Sequence, residues 1–254
     1  MLREHELNTS WWGEPVGIVD QLELLDAPES ERERRLRAFA WVELKAPLSS
    51  AVPLAALQRA GFFQVDTQLH FRIGLDRLPS PSESAAELVV DAADRTPFRL
   101  EAAGLAPFQH ERFSCLPGCT AARLSERYAL WGNRLLAAHP ADCLRLSSRS
   151  GQVQGWFLAA RRETRIELTL AMLSREATVS GQLLYHRALL TYAERGARVG
   201  AASFQAGNTA VHNIYAHLGA RFVQPTGCWF WIRGESSVAS STPTRSFDDR
   251  GSPR

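Results

Sequence analysis

Between residues 197 and 222 the apolar positions change period, from a run of small and apolar residues to steps of three and four. Residues 198–205 read as a strand. Gly207-Asn208 breaks it, and Asn208 or Thr209 can accept the first free amide hydrogens of a helix. Ala210, Val211, Ile214, Leu218 and Phe222 then form one apolar helical stripe, with Tyr215 at its edge. Gly219 ends that helix with a left-handed cap. The same order, strand then helix then glycine then strand, occurs near the start. Residues 40–46 alternate apolar and polar, Leu54, Leu57 and Ala60 share a helical side, Gly61 ends the helix, and residues 62–73 alternate again. This predicts a weak internal repeat of pattern, with little identity behind it.

Elsewhere the pattern predicts strands at 88–94, 143–146, 152–160 and 165–173, and a helix at 96–108 from the spacing of Phe98, Ala102 and Leu105. Residues 125–138 read as an amphipathic helix. Residues 182–195 read as another, through Leu183, Leu184, Ala188, Leu189 and Tyr192, ended by Gly196. An apolar run at 228–233 is expected to close the sheet as its last strand. Residues 74–87 are rich in Pro and Ser and break both periods. The expected organisation is a half-domain at 1–77, a linker at 78–87, a complete α/β domain at 88–234 and a disordered tail at 235–254.

Composition narrows the classes. The chain has 254 residues, 45% hydrophobic, and a net charge of +2, too small to point to nucleic acid. Lys45 is the only lysine, so the basic charge is nearly all arginine. No apolar run is long enough for a membrane span, and the N-terminus has no signal-peptide h-region. Cys115, Cys119, Cys143 and Cys228 lack the second pair or histidine cluster a metal site needs. Free thiols, no metal and a cytoplasmic location are expected.

Asn208, Ala210, Tyr215, Gly219, Ala220 and Phe222 together resemble the strand–turn–helix motif of the GNAT acetyltransferases. The resemblance implies a mixed twisted sheet with flanking helices, acetyl-CoA as acyl donor and a primary amine as acceptor. It places Asn208 at the pantetheine or acceptor region and makes Tyr215 the acid that protonates the departing thiolate. A phenol of pKa ~10 suits a thiol of pKa ~8.5. Two central strands would part to receive the pantetheine arm. An amide of Ala171, Met172 or Leu173 would hold the oxyanion. The loop Thr178, Val179, Ser180, Gly181 and Gln182, with the start of the following helix, would cradle the CoA diphosphate.

That loop departs from the family pattern Gln/Arg-x-x-Gly-x-Gly/Ala. Only Gly181 survives; Thr178 replaces the leading cation and Leu183 the last small residue. The hydroxyls of Thr178 and Ser180, and Arg175, are the available substitutes.

Trp11-Trp12-Gly13, the run VELK ending at Lys45, and LQRAGF ending at Phe62 before Val65 and Asp66 are similar to the sugar-nucleotide N-acetyltransferases typified by dTDP-fucosamine acetyltransferase. These carry a truncated GNAT-like lobe before a full one. This second resemblance implies a nucleotide-linked amino sugar as acceptor and Asp66 as an acidic residue facing it. Phe113, Arg123, Arg127, Tyr128, Trp131 and Asn133 mix aromatic rings with cations that can hold a pyrophosphate and stack a base. Glu167, on the strand beside the reactive centre, is the backup general base. A different amine acceptor and a non-catalytic module with a degenerate cleft both stay open, and a homodimer is permitted but not required.

Overall fold

The computed structural model describes residues 1–48, 52–80 and 87–235. Most of the expected linker, 81–86, and nearly all of the expected tail, 236–254, lie outside the described residues. In chain order the elements are β1 Leu2–Glu4, α1 Glu6–Trp12, β2 Val16–Val19, α2 Glu29–Leu36, β3 Trp41–Pro47, α3 Leu54–Arg59 and β4 Phe63–Gly74. After the linker come β5 Val89–Ala92, α4 Ala121–Ala138, β6 Cys143–Ser147, β7 Val153–Arg162, β8 Arg165–Leu173 and α5 Gly181–Glu194. The chain then continues through β9 Val199–Gln205, α6 Thr209–His217, β10 Arg221–Phe222 and β11 Thr226–Ile232.

All the strands join one mixed sheet in the order β1-β2-β3-β11-β4-β9-β8-β7-β6-β5, with the short β10 on β4. The predicted repeat is visible here as an exchange. β3, α3 and β4 follow the same plan as β9, α6 and β11, and β11 lies between β3 and β4 while β4 lies between β11 and β9. Each half thus inserts its last strand into the other. The strands upstream match as well: β2 runs parallel to β3, as β8 runs parallel to β9.

Two sequence expectations need correction. The run at 228–233 does not close the sheet at an edge; as β11 it is central, paired on both sides. Its residues Gly227–Phe230 are buried, the mark of a strand covered on both faces. The helix at 96–108 is absent; only Ala102–Gly104 makes a 3-10 turn. Asn133 on α4 bonds both backbone groups of Leu100, at 3.0 Å each, which holds the segment open. Leu100 and Leu105 are fully buried, so the apolar spacing serves a pinned loop and not a helical stripe.

Helix starts follow their caps. Thr120 Oγ1 accepts from the Arg123 amide at α4, Ser180 Oγ from the Leu183 amide at α5, and Asn208 Oδ1 from the Val211 amide at α6. One core packs α5 and α6 against the sheet through Phe71, Ile73, Leu184, Leu189, Tyr192 and Tyr215. On the other face α1 and α4 are joined through Trp11, whose indole donates to the Arg123 carbonyl at 2.7 Å.

Candidate functional site

β8 and β9 pair only from Arg165↔Val199 to Glu167↔Ala201, after which the strands part. A bulge in β8 falls at the same place. Leu158↔Leu170 is followed by Ala160↔Glu167, so three steps along β8 face two along β7. The extra residue bends the strand and turns its next backbone groups, the expected action of a bulge. Beyond it the Ser174 amide bonds back to the Gln154 carbonyl on β7 at 2.9 Å. By alternation the amides of Ala171 and Leu173 face the gap, and that of Met172 faces β7.

Tyr215 stands under the diverging end of β9. Its ring centroid is 3.9 Å from that of Phe71 on β4, 5.3 Å from Tyr185 on α5 and 6.1 Å from Phe204 on β9. The residue is 4% exposed, and burial holds its hydroxyl well above the ordinary phenol range. It is therefore a neutral phenol, the form a proton donor needs. Asn208, expected at the pantetheine, uses its side-chain oxygen as the cap of α6.

Asp66 and Glu167 lie on the opposite face of the sheet from Tyr215. Asp66 stands across from Cys228, and His70 and Arg72 follow on the same side of β4. Asp66 Oδ1 accepts from the Thr67 amide at 2.7 Å, whereas its buried Oδ2 has no partner among the described residues. Burial raises the Asp66 carboxyl, against the pull of Arg112. Glu167 is half exposed and paired with Arg165 at 3.3 Å. It lines a cavity of about 220 Å³ together with His70, Arg72, Arg165, Ala201 and Thr226. His70 Nε2 lies 2.9 Å from Thr226 Oγ1, and burial lowers its pKa, so the ring stays neutral near pH 7. The sheet thus separates the phenol from both carboxylates, and the gap between β8 and β9 is what connects the two faces.

The sequence reading did not single out His70 or a buried charge cluster beside Asp66. Glu111, 8% exposed, accepts from the Tyr128 hydroxyl and, at 3.5 Å, from the side-chain Nε2 of Gln205 at the free end of β9. Arg112 Nε donates to Glu43 at 2.8 Å, and Arg127 Nε to Asn8 at 3.0 Å. Burial raises Glu111, with Arg112 and Arg127 opposing. Among the residues expected to wall an acceptor pocket, Arg127 and Tyr128 join this cluster. Phe113 stacks on Phe230 and carries the Arg127 guanidinium 4.1 Å from its ring centre. Asn133 instead pins Leu100. The signal that could have found Glu111 is weak: a lone acid among aromatic residues in a stretch without period. Cys228, beside Asp66, has its thiol pushed up by burial to about 11 and stays protonated.

The loop expected to hold a diphosphate is bonded to its own protein. Gln154 Oε1 accepts from the Thr178 and Val179 amides at 2.8 and 3.2 Å and from the Thr178 hydroxyl at 3.3 Å. Ser180 caps α5, leaving the amides of Gly181 and Gln182 at the helix start.

No protein-family model and no curated protein matches the chain. Solved structures do. A GCN5-related N-acetyltransferase from Sphaerobacter thermophilus aligns over 91% of this chain and 75% of its own, at 14% identity and a TM-score of 0.57. A tandem GNAT protein from the clavulanic acid biosynthesis pathway, solved without AcCoA, aligns over 89% and 77% at 14% identity and a TM-score of 0.51. A GCN5-related N-acetyltransferase from Kribbella flavida aligns over 87% and 82% at 13% identity and a TM-score of 0.50. With its parted central strands and exchanged halves, this chain has the GNAT fold, a large mixed sheet with flanking helices.

Proposed function

We propose that the chain is an N-acyltransferase that moves an acyl group, acetyl in the simplest case, from a CoA-type thioester to a primary amine. The observation that carries this reading is the gap opened by the β8 bulge, with inward-facing amides on one strand and titratable groups on both sides of the sheet. The donor's thioester enters between β8 and β9. An amide of Ala171 or Leu173 stabilises the oxyanion. Tyr215 gives its proton to the leaving sulfur from the α5–α6 face. The amine approaches from the other face, where Glu167 or Asp66 takes its proton, directly or through water. Transfer forms the amide C–N bond and breaks the C–S bond. The proton lost by the amine goes to the carboxylate, and the thiol leaves with the phenolic proton.

The cavity lined by Glu167, His70 and Arg72 suits a small amine. A nucleotide-linked amino sugar remains the finer proposal for the acceptor; it is supported by the resemblance of Trp11-Trp12-Gly13 and of the run around Asp66, and it rests on analogy. A screen of amines with labelled acetyl-CoA tests it, and transfer only to amines without a nucleotide removes it.

A second reading, a binding module without catalysis, is favoured by one observation. The Tyr215 ring is enclosed by Phe71, Phe204 and Tyr185, and the phenolate left by proton donation would be poorly solvated there. Tyr215→Phe separates the two. The transferase reading expects turnover to drop about 100-fold with donor binding unchanged. Equal turnover in both forms takes Tyr215 out of the mechanism. No turnover by the unaltered chain with any amine supports the inert module.

A further inference from the structure

In the sequence, the loop from Ser174 to Ser180 lacks a leading cation; in the structure, its amides from Ser174 to Val179 are already bonded within the protein. Gln154 is the cause. Leu146↔Gly155 is followed by Ser147↔Val153, so Gln154 is the extra residue of a bulge in β7. The bulge turns its side chain toward the loop. The residue is 0% exposed, and its one carbonyl oxygen takes two loop amides and a hydroxyl. Gln152 adds a second tie, from its side-chain amide to the Glu176 carbonyl at 2.8 Å.

An independent contact closes the same end of the groove from the other side. The Ala106 amide donates to the Leu173 carbonyl at 3.0 Å, and the Arg175 amide to the Gly104 carbonyl at 2.9 Å. Leu105 therefore stands opposite Ser174 like a short added strand. These bonds use the gap-side groups of β8 nearest the loop. Further in, the amides of Ala171 and Leu173 still face the gap. The loop also carries Glu176 next to Arg175, so its side chains give no net positive charge. A diphosphate taking the Thr178 and Val179 amides would have to displace a fully buried amide oxygen, which would then have no partner.

We propose that the donor is a pantetheine thioester recognised by its acyl group and the inner part of its arm, with the Thr178 and Val179 amides withheld from the CoA diphosphate. A thioester of free pantetheine, or of phosphopantetheine on a carrier protein, then serves as well as the CoA thioester. The donor assignment rests on the acyltransferase reading; the closed loop does not.

Two measurements test it. Calorimetric titration with inorganic pyrophosphate uses no acyl transfer. The unaltered chain is expected to show no saturable binding up to about 5 mM, and Gln154→Met, which frees the amides and keeps the volume, to gain binding near 1 mM. Saturable binding by the unaltered chain below about 0.1 mM overturns the proposal, whatever the variant does. The second measurement compares kcat/KM for acetyl-CoA, S-acetylpantetheine and an acetylated carrier protein. Values for the two small donors within about threefold of one another support it, and a preference of about 100-fold or more for acetyl-CoA overturns it. A carrier thioester much faster than both points to the carrier as the source of the arm, which also supports it. No transfer from any donor removes the donor assignment together with the acyltransferase reading, and the pyrophosphate titration then shows whether the loop closure stands alone.

Discussion

Glu43 is 1% exposed and shares its neighbourhood with Arg112, Lys45 and Arg127. Burial alone would raise its carboxyl. Arg112 at 2.8 Å and Lys45 at 3.6 Å outweigh that and hold it at about 2. The folded value lies below the unfolded one, about 4.3. The ion therefore stabilises the fold above that pH, and its contribution is lost as pH falls toward 2. Urea titrations across this window should show the midpoint dropping steadily. Glu43→Gln keeps the shape but leaves Arg112 only its longer contact with Glu111, at 3.9 Å; it should cost about 3 kcal/mol at neutral pH and flatten that acid slope. In the sequence, Glu43 is an ordinary polar position of an alternating strand. What makes it a keystone is Arg112, 69 positions away in the chain, brought over it by the packing of the other half.

Helices with strong caps were legible at the scale of the element. α6 begins at Asn208 and ends at Gly219, whose φ is 85°. Asn208→Ala should lower stability by about 1 kcal/mol in thermal melts, since an orphaned amide is all that changes. The segment 96–108 carried a helical spacing and became a loop, because Asn133 and two buried leucines held its backbone more favourably than a helix interrupted by Gly104 could. Bulges were not legible either. They arise from a mismatch in length between paired strands, and a single strand does not contain that information. Gly155, next to the β7 bulge, marks how closely the strands approach: a Cβ there would sit 2.4 Å from the Met172 carbonyl oxygen. Gly155→Ala should destabilise by about 2 kcal/mol and shift the end of β8 that faces the gap, checked by melting temperature and by donor affinity.

For the whole molecule, the exchange of β4 and β11 decides cooperativity. β3 and β4 are held together by β11, which is supplied by the other half. A chain ending at residue 80 lacks that strand, and one starting at residue 87 lacks both of the strands β11 pairs with. Neither fragment is expected to show a cooperative thermal transition by circular dichroism, whereas the full chain should melt in one step. The candidate site depends on the same exchange. Asp66 and His70 come from β4, Glu167 from β8, Gln205 from β9 and Glu111 from the segment before α4. Tyr215, Asp66, Glu167 and the loop at 178–182 were singled out through the family resemblance, and the period or punctuation of the local sequence placed the elements that carry them. Their separation onto two faces of one sheet was not.

The sequence by itself determined the local units: alternating strands, capped helices, a repeated strand–helix–strand plan, and an altered loop before α5. These follow from the period of apolar residues and from glycine, asparagine and serine at the ends, all of which act within a few residues. Only the tertiary structure decided that the two plans interlock, that a buried glutamine fills the loop, and that the charges of Glu43, Glu111, Arg112 and Arg127 gather under one helix. Those outcomes depend on which surfaces meet and which buried polar groups find partners across long stretches of chain, and no local pattern records that choice.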